Sequence, residues 1–410
     1  MAKIAVLGYG TVGSGVVEVI NSNSKVIGKN AGESVEVKYV LDLRDFPGDP
    51  VQNIITHDFN DIINDDEIEV VVEVMGGTSP AYEFVKASLE KGKSVCTSNK
   101  ALVAKHGSEL LRIAEENNVN FLFEASVGGG IPILRPLNNC ITCEVIEEIT
   151  GILNGTTNYM LTKMTAEGLE YADVLKDAQD KGYAERNPAA DVEGHDTCRK
   201  IAILSSIVTG KEVNFEEIYT EGITKVSKTD IDYVKKMGKA IKLLAMAKFD
   251  GGRMWARVAP VIIEPSHPLG NVSDVYNGIL VKGNCLGDVM FYGMGAGKLP
   301  TASAVVSDIV DAVKNKHTNL GFSWSEEKQQ LTDISTVEVS KFVRVSYSIK
   351  AEALNAVSQS FGDVDVVEAG IENELAFITP VLTEASIEKK LANLANSEGI
   401  SEVLSVIRMY

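Results

Sequence analysis

The segment Gly8-Tyr9-Gly10-Thr11-Val12-Gly13 constrains this chain more than any other. It follows an apolar run, KIAVL at residues 3–7, and opens a stretch of helical spacing from about Val12 to Asn21. A strand, a glycine turn and a helix in that order begin a βαβ unit. The first glycine permits the tight turn. The second lets a pyrophosphate reach the backbone, and the third lets the helix pack on the strand. The helix N-terminus adds a partial positive charge for the phosphates. Dinucleotide binding is therefore expected at Gly8, Gly10, Thr11, Val12 and Gly13; the bland alternative is a tight glycine turn.

Further strands are expected at 35–41, 68–75, 93–97 and 119–123, with helical spacing at 81–91 and 107–116. Such alternation implies an α/β, doubly wound parallel sheet. The character changes after about residue 135. Strands read at 146–153, 253–263 and 275–285, and helices at 157–167, 170–182, 194–209 and 230–248, which describes an α+β domain. Segment 300–315 is again helical. The expected organisation is a nucleotide domain over 1–135 with 290–316 returning to it. A substrate and dimerisation domain follows over 136–290, then a polar linker over 317–339. The tail, 340–410, reads as βαββαβ, a ferredoxin-like order.

Composition excludes several functions. Acidic residues number 57 and basic ones 39, a net charge of −18. A chain that acidic repels nucleic acid and anionic membranes, and no Lys/Arg-rich run offsets it. The longest uncharged stretch, 149–162, contains Asn154, Thr156, Thr157 and Asn158, so no membrane span is expected. The N-terminus shows no signal-peptide pattern, and five scattered cysteines suit a reducing cytoplasm. Cys140 and Cys143 have C-x-x-C spacing without a second pair, and read as small buried apolar residues.

Several polar motifs fall where an open α/β sheet places its ligand, just past strand ends. Asp42 and Arg44 end the second strand. An acid there suits a ribose hydroxyl and favours NAD; a guanidinium suits a 2′-phosphate and favours NADP. The sequence offers both, and either could be a solvated loop charge. Thr97-Ser98-Asn99-Lys100 follows the fourth strand, and Lys100 could touch cofactor or substrate. Glu124 to Ile131, with three consecutive glycines, offers a carboxylate and exposed carbonyls for a hard cation, or a flexible hinge. Asn154-Gly-Thr156-Thr-Asn158 could bind polar substrate groups or cap a helix.

The richest stretch is 182–200, from Gly182 to Lys200, where ionisable groups crowd a Pro/Gly loop feeding an apolar helix. Asp196 and Lys200 are four apart, on one helix face. A partly buried lysine beside carboxylates suits proton transfer at a carbonyl; a surface ion pair is the bland alternative. Gly293-Met-Gly295-Ala-Gly297 forms a second glycine turn before a helix, a second surface for cofactor.

Together GYGTVGSG (8–15), TSNK (97–100), FEASVGGGIPI (123–133), GILNGTTNY (151–159), the 182–200 stretch and FYGMGAGKLPTASAVVSD (291–308) resemble the homoserine dehydrogenase family, in order over about residues 1–315. The resemblance implies a Rossmann fold and NADP- or NAD-dependent interconversion of L-homoserine and L-aspartate 4-semialdehyde, in threonine, methionine and isoleucine biosynthesis. It implies Lys200 as proton donor, Lys100 beside the nicotinamide and substrate, and Glu185 and Asp196 on the substrate, with Gly182, Asn154 and Thr156 around it. It further implies cofactor contacts at Gly295 and Gly297. A sodium site would be formed by Glu124, Val127, Gly129 and Ile131. A homodimer or homotetramer with a small-molecule substrate is expected. The tail resembles an ACT domain in element order, but the usual Asp-x-Pro-Gly turn is replaced by Ser348-Ile-Lys-Ala-Glu352. The rival readings are another amino acid dehydrogenase of similar fold, and a non-catalytic amino acid or nucleotide sensor.

Overall fold

The computed structural model describes every residue except Ser323, which falls in the expected linker and lies outside the described residues. The chain divides into two compact units. The first comprises Met1–Val145, Arg199–Glu216 and Phe291–Gln329; the second comprises Ile146–Cys198, Glu217–Met290 and Gln330–Tyr410.

The first unit is built on a six-stranded sheet. Its spatial order is Ile55–Thr56, Val35–Leu41, Ala2–Leu7, Ile68–Glu73, Ser94–Thr97 and Phe121–Leu122. Every neighbouring pair is parallel. This is the doubly wound order, with its switch point between Ala2–Leu7 and Ile68–Glu73. Those two strands are almost wholly buried because βα connections cover both sheet faces. The helix Thr11–Ser22 presents Val16, Val17 and Ile20 to the same core as Ala302, Val305 and Ile309 of the helix Lys298–Lys314. The segment following that helix is polar in sequence, yet Trp324 is buried against the Phe123 ring, and Ser325–Lys328 pairs with Lys211–Glu212.

In the second unit the main sheet runs Gly287–Met294, Tyr276–Gly283, Ile146–Ile152, Ala240–Asp250, Arg253–Ile263, Ile400–Met409, Lys341–Tyr347, Glu374–Ile378 and Asp365–Val367. The four strands of the tail therefore stand in the order 4-1-3-2, all antiparallel, which is the ferredoxin-like arrangement. Its last strand lies parallel to Arg253–Ile263, Val261 opposite Arg408, so the tail's sheet continues that of the substrate segment.

Two expectations need correction. Residues 230–248 are not one helix: the helix is Lys228–Lys236, and Ala240–Asp250 is a strand. Gly238 takes a left-handed φ of 72° and ends the helix. The apolar run after it fits either period, and the hairpin with Arg253–Ile263 decides for the strand. Cys140 and Cys143 are exposed, not buried. Cys140 and Cys143 flank a surface turn after the short π-helical segment Pro136–Cys140, which offers no core to enter. Among the described residues no helix is long and apolar enough to cross a membrane.

Candidate active site

The glycine turn sits at the sheet's switch point. A Cβ on Gly13 would stand 1.9 Å from Gly8 O, so the turn can close only with glycine there. The helix Thr11–Ser22 has no side-chain cap, which leaves its first amides for an anionic ligand. Asp42 anchors the turn: its carboxylate accepts from Tyr9 N at 2.8 Å and from Arg44 N and Nε, both at 3.0 Å. The bonds from Arg44 lower the Asp42 pKa to about 2. Asp42 and Arg44 thus form one paired unit, acid and guanidinium together, just past the end of the strand Val35–Leu41.

The loop Thr97–Lys100 is held from behind by a residue that local sequence did not single out. Glu73, fully buried at the end of its strand, accepts from Thr97 Oγ1 at 2.6 Å and from Met75 N at 2.9 Å. Thr97 Oγ1 in turn accepts from Asn99 N at 2.9 Å, and Asn99 Oδ1 caps the helix Lys100–Glu116 through Leu102 N at 3.1 Å. Asn99 also donates to Gly77 O at 2.6 Å. One carboxylate therefore ties together the loops after two adjacent strands and fixes Lys100 at a helix start. Burial raises the Glu73 pKa, against the bonds from Thr97 and Met75.

Glu124 is likewise buried, and its carboxylate accepts from three successive amides: Ile133 at 2.7 Å, Leu134 at 2.8 Å and Arg135 at 2.9 Å. Its own amide donates to Asp308 at 2.9 Å, and Arg135 pairs with Asp308. Burial pushes Asp308 up to about 7 even with that guanidinium against it. The loop carrying Val127, Gly129 and Ile131 packs on the second glycine turn: Gly130 N donates to Met294 O at 3.1 Å. Gly129 has a φ of 58°, and a Cβ there would stand 2.2 Å from Gly295 O. Gly297, with a φ of 120°, precedes the helix Lys298–Lys314.

The second unit gathers the polar residues around Asn154. Asn154 lies two residues past the strand Ile146–Ile152 and caps the helix Gly155–Glu167, its Oδ1 accepting from Thr157 N at 2.9 Å. Its Nδ2 donates to Asp191 at 2.7 Å and to Asp196 at 3.0 Å. Asp191 was only part of the charged stretch in the sequence; the fold makes it a partner of Asn154. Thr156 Oγ1 donates to Tyr183 O at 2.5 Å, beside Gly182, whose φ of 74° turns the chain. Glu185 is exposed in the same loop. Asp196 and Lys200 both lie on the helix His195–Thr209, with 3% and 7% of their surface accessible. Burial that complete sets Lys200 apart from a solvated surface lysine.

A second buried charge that local sequence does not single out lies in the same unit. Lys242, in the middle of the strand Ala240–Asp250, is buried and donates to Val272 O at 2.5 Å and to Asn158 Oδ1 at 3.4 Å. Burial lowers its pKa to about 8. Asn158 spends its own Nδ2 on the carbonyls of Asp274, at 3.1 Å, and Tyr276, at 3.0 Å. A charged residue inside an apolar strand was the available signal for both Glu73 and Lys242. Their partners, distant in sequence, were not.

A doubly wound sheet with an uncapped glycine turn at its switch point defines a dinucleotide-binding oxidoreductase fold. Comparisons agree and go further. Residues 8–124 match the family model "Homoserine dehydrogenase, NAD binding domain", and residues 132–310 match "Homoserine dehydrogenase". The homoserine dehydrogenase of Bacillus subtilis is 36% identical over 99% of this chain and 98% of its own length, and that of Synechocystis 38% identical over 99% of both. A crystal structure of a homoserine dehydrogenase from Thiobacillus denitrificans superposes with a TM-score of 0.91 at 32% identity, covering 100% of this chain and 98% of that one. A hyperthermophilic archaeal homoserine dehydrogenase in complex with NADPH superposes at 0.64 with 28% identity, over 76% of this chain and 97% of that one. The chain belongs to the homoserine dehydrogenase family, and is an NAD(P)-dependent oxidoreductase acting on a CH–OH group.

Proposed function

We propose that the chain interconverts L-homoserine and L-aspartate 4-semialdehyde, with Lys200 as its acid–base group. The observation that carries this assignment is a buried lysine one helical turn beyond a buried aspartate, in the stretch that resembles the family's substrate loop. Bound NAD(P)H supplies the hydride. Lys200 protonates the aldehyde oxygen in the reducing direction and receives the proton in the other. Asp196 and Glu185 hold the amino acid end or hydroxyl of the substrate, with Asn154, Thr156 and Gly182 shaping the loop. Lys100 supports the nicotinamide side. Gly8, Gly10, Thr11, Val12, Gly13, Gly295 and Gly297 form the cofactor surface, and the Asp42–Arg44 pair reads the ribose. That pair supports use of either cofactor, since each partner offers one of the two recognition chemistries. An absorbance assay of NADPH and NADH oxidation with aspartate semialdehyde tests the reading; no oxidation with either cofactor refutes it.

A monovalent cation beside Glu124 fits this chain in a restricted way. The carboxylate already takes three amides, so a cation there would rest on the carbonyls of Val127, Gly129 and Ile131, with Glu124 organising the loop. Activity compared in sodium, potassium and bulky organic-cation buffers should favour a small alkali cation; equal rates in all three would leave the loop as a hinge. The tail is read as an ACT-like element for assembly, in a homodimer or homotetramer. Its first turn, Ser348–Glu352, lacks the small-residue loop that lets an effector approach the backbone.

A further inference from the structure

The second unit contains a cavity of about 510 Å³ lined by none of the residues assigned above. Strands of the substrate segment supply Trp255, Arg257 and Leu280; the end of the linker supplies Val339, and the tail Val381 and Met409. Apolar side chains share this wall with the exposed charges Lys248, Lys282, Asp288 and Glu338, and with one buried charge, Arg257. Arg257 is 4% exposed. Its Nη1 reaches Glu384 at 3.3 Å and its Nη2 reaches only the Met246 sulfur at 3.8 Å. Its Nε has no partner among the described residues.

The surrounding charges do not balance. Arg257, Lys341 and Arg408 are all buried around the single buried carboxylate Glu384, and Arg408 alone extends to a second one, Glu221. That makes three cations for two carboxylates. Arg408 holds Glu384 at 2.6 Å, the shorter bond, so Arg257 is the weakly satisfied member. Glu148, also on the cavity wall, is taken by Thr150 at 2.7 Å, Tyr410 at 3.1 Å and Lys248 at 3.2 Å. A buried, unbalanced guanidinium is costly unless an anion meets it. Burial and the repulsion of Arg408 lower the Arg257 pKa to about 10, in keeping with that deficit.

We propose that this cavity binds a small organic carboxylate with a short apolar chain, its carboxylate on the Arg257 guanidinium and its chain against Leu280, Val339 and Met409. A guanidinium with a free donor suits a planar carboxylate. Because the wall is shared by the substrate sheet and the tail, occupancy fastens one to the other. Exposed Asp288 and Glu338 also line the cavity, so a chain bearing an ammonium group is tested separately.

The test is titration of the full chain with sodium butyrate, with its neutral isostere butyramide and with L-2-aminobutyrate, followed by calorimetry and thermal unfolding. Saturable binding of butyrate or aminobutyrate is expected, and none of butyramide. Arg257→Met should weaken the carboxylates by about tenfold or more, the loss typical of a bond to a charged group. Glu384 keeps Lys341 and Arg408 in that variant, so the fold survives. Val381→Trp, at a residue 65% exposed on the cavity wall, should block binding with Arg257 intact. Equal affinity for butyrate and butyramide, unchanged affinity in Arg257→Met, or no saturable binding of either carboxylate would each overturn the proposal. So would stabilisation that follows protein concentration and ignores butyrate, which would give the cavity to a second copy of the chain.

Discussion

The residues proposed for function in the two units are made of different materials. In the first unit the proposed cofactor edge is backbone: a glycine turn closed to 1.9 Å of a missing Cβ, uncapped helix amides, and a second glycine turn on which Gly129 packs. In the second unit the proposed substrate group is side chain: Asn154 between Asp191 and Asp196, Thr156 on the Tyr183 carbonyl, and Glu185 exposed in the same loop. A surface made of backbone cannot be altered without disturbing the fold, except where a residue faces open space. A surface made of side chains can lose a function and keep its shape.

The largest expected effect concerns a side chain, Lys200, on the helix that carries Asp196. Lys200→Ala should lower kcat by about 10² to 10⁴ while leaving NADPH affinity nearly intact, the usual range for loss of a general acid–base group. Steady-state kinetics and a fluorescence titration check it. A near-normal kcat would remove Lys200 from the chemistry.

The backbone half separates two glycines that look equivalent in sequence. Nothing lies within 4 Å of a Cβ built on Gly10, whereas Gly13 faces Gly8 O. Gly10→Val should therefore abolish NADPH binding with little change in Tm, because its side chain fills only the space meant for pyrophosphate. Gly13→Ala should lose about 1–3 kcal/mol of stability before any question of binding arises. Urea unfolding with calorimetric titration distinguishes them, and equal stability of the two variants would contradict the division.

Glu73 is the side chain on which the backbone half depends. Glu73→Ala strands Thr97 Oγ1 and Met75 N and should cost about 1–3 kcal/mol. Glu73→Gln can keep both contacts and should fold. Burial raises the folded pKa of Glu73 above its free value of 4.5. Its contribution is then full below pH 4.5 and is lost as pH rises through the higher folded value. The Gln variant should lack that loss, so its Tm should gain on the wild type between mildly acidic and neutral pH. Parallel Tm profiles would show that Glu73 stays ionised throughout.

The smallest effect concerns the one side-chain pair on the cofactor edge. Asp42→Ala should weaken NADH more than NADPH, and Arg44→Ala the reverse, each by about tenfold at most because Arg44 is solvent-exposed. Michaelis constants for both cofactors check it. Equal effects on both would make the pair a support for the Tyr9 amide alone.

How much of this was legible in the chain follows from the range of the forces involved. The glycine turn, the alternation of strand and helix, and the i,i+4 relation of Asp196 to Lys200 are local. They depend on φ/ψ access and helical period, and a sequence displays them directly. The same local logic could not choose between helix and strand for Ala240–Asp250, where an apolar run fits both and only the hairpin partner decides. Nor could it find Glu73, Lys242 or Arg257. Each sits in a strand as a charge among apolar neighbours, and its meaning comes from groups tens to more than a hundred residues away: Thr97 for Glu73, Asn158 and Val272 for Lys242, Glu384 for Arg257. The sequence by itself therefore determined the fold class and the chemistry-bearing motifs, because these rest on short-range geometry. The tertiary structure alone decided which buried charges have partners, because desolvation and pairing depend on what folding brings near.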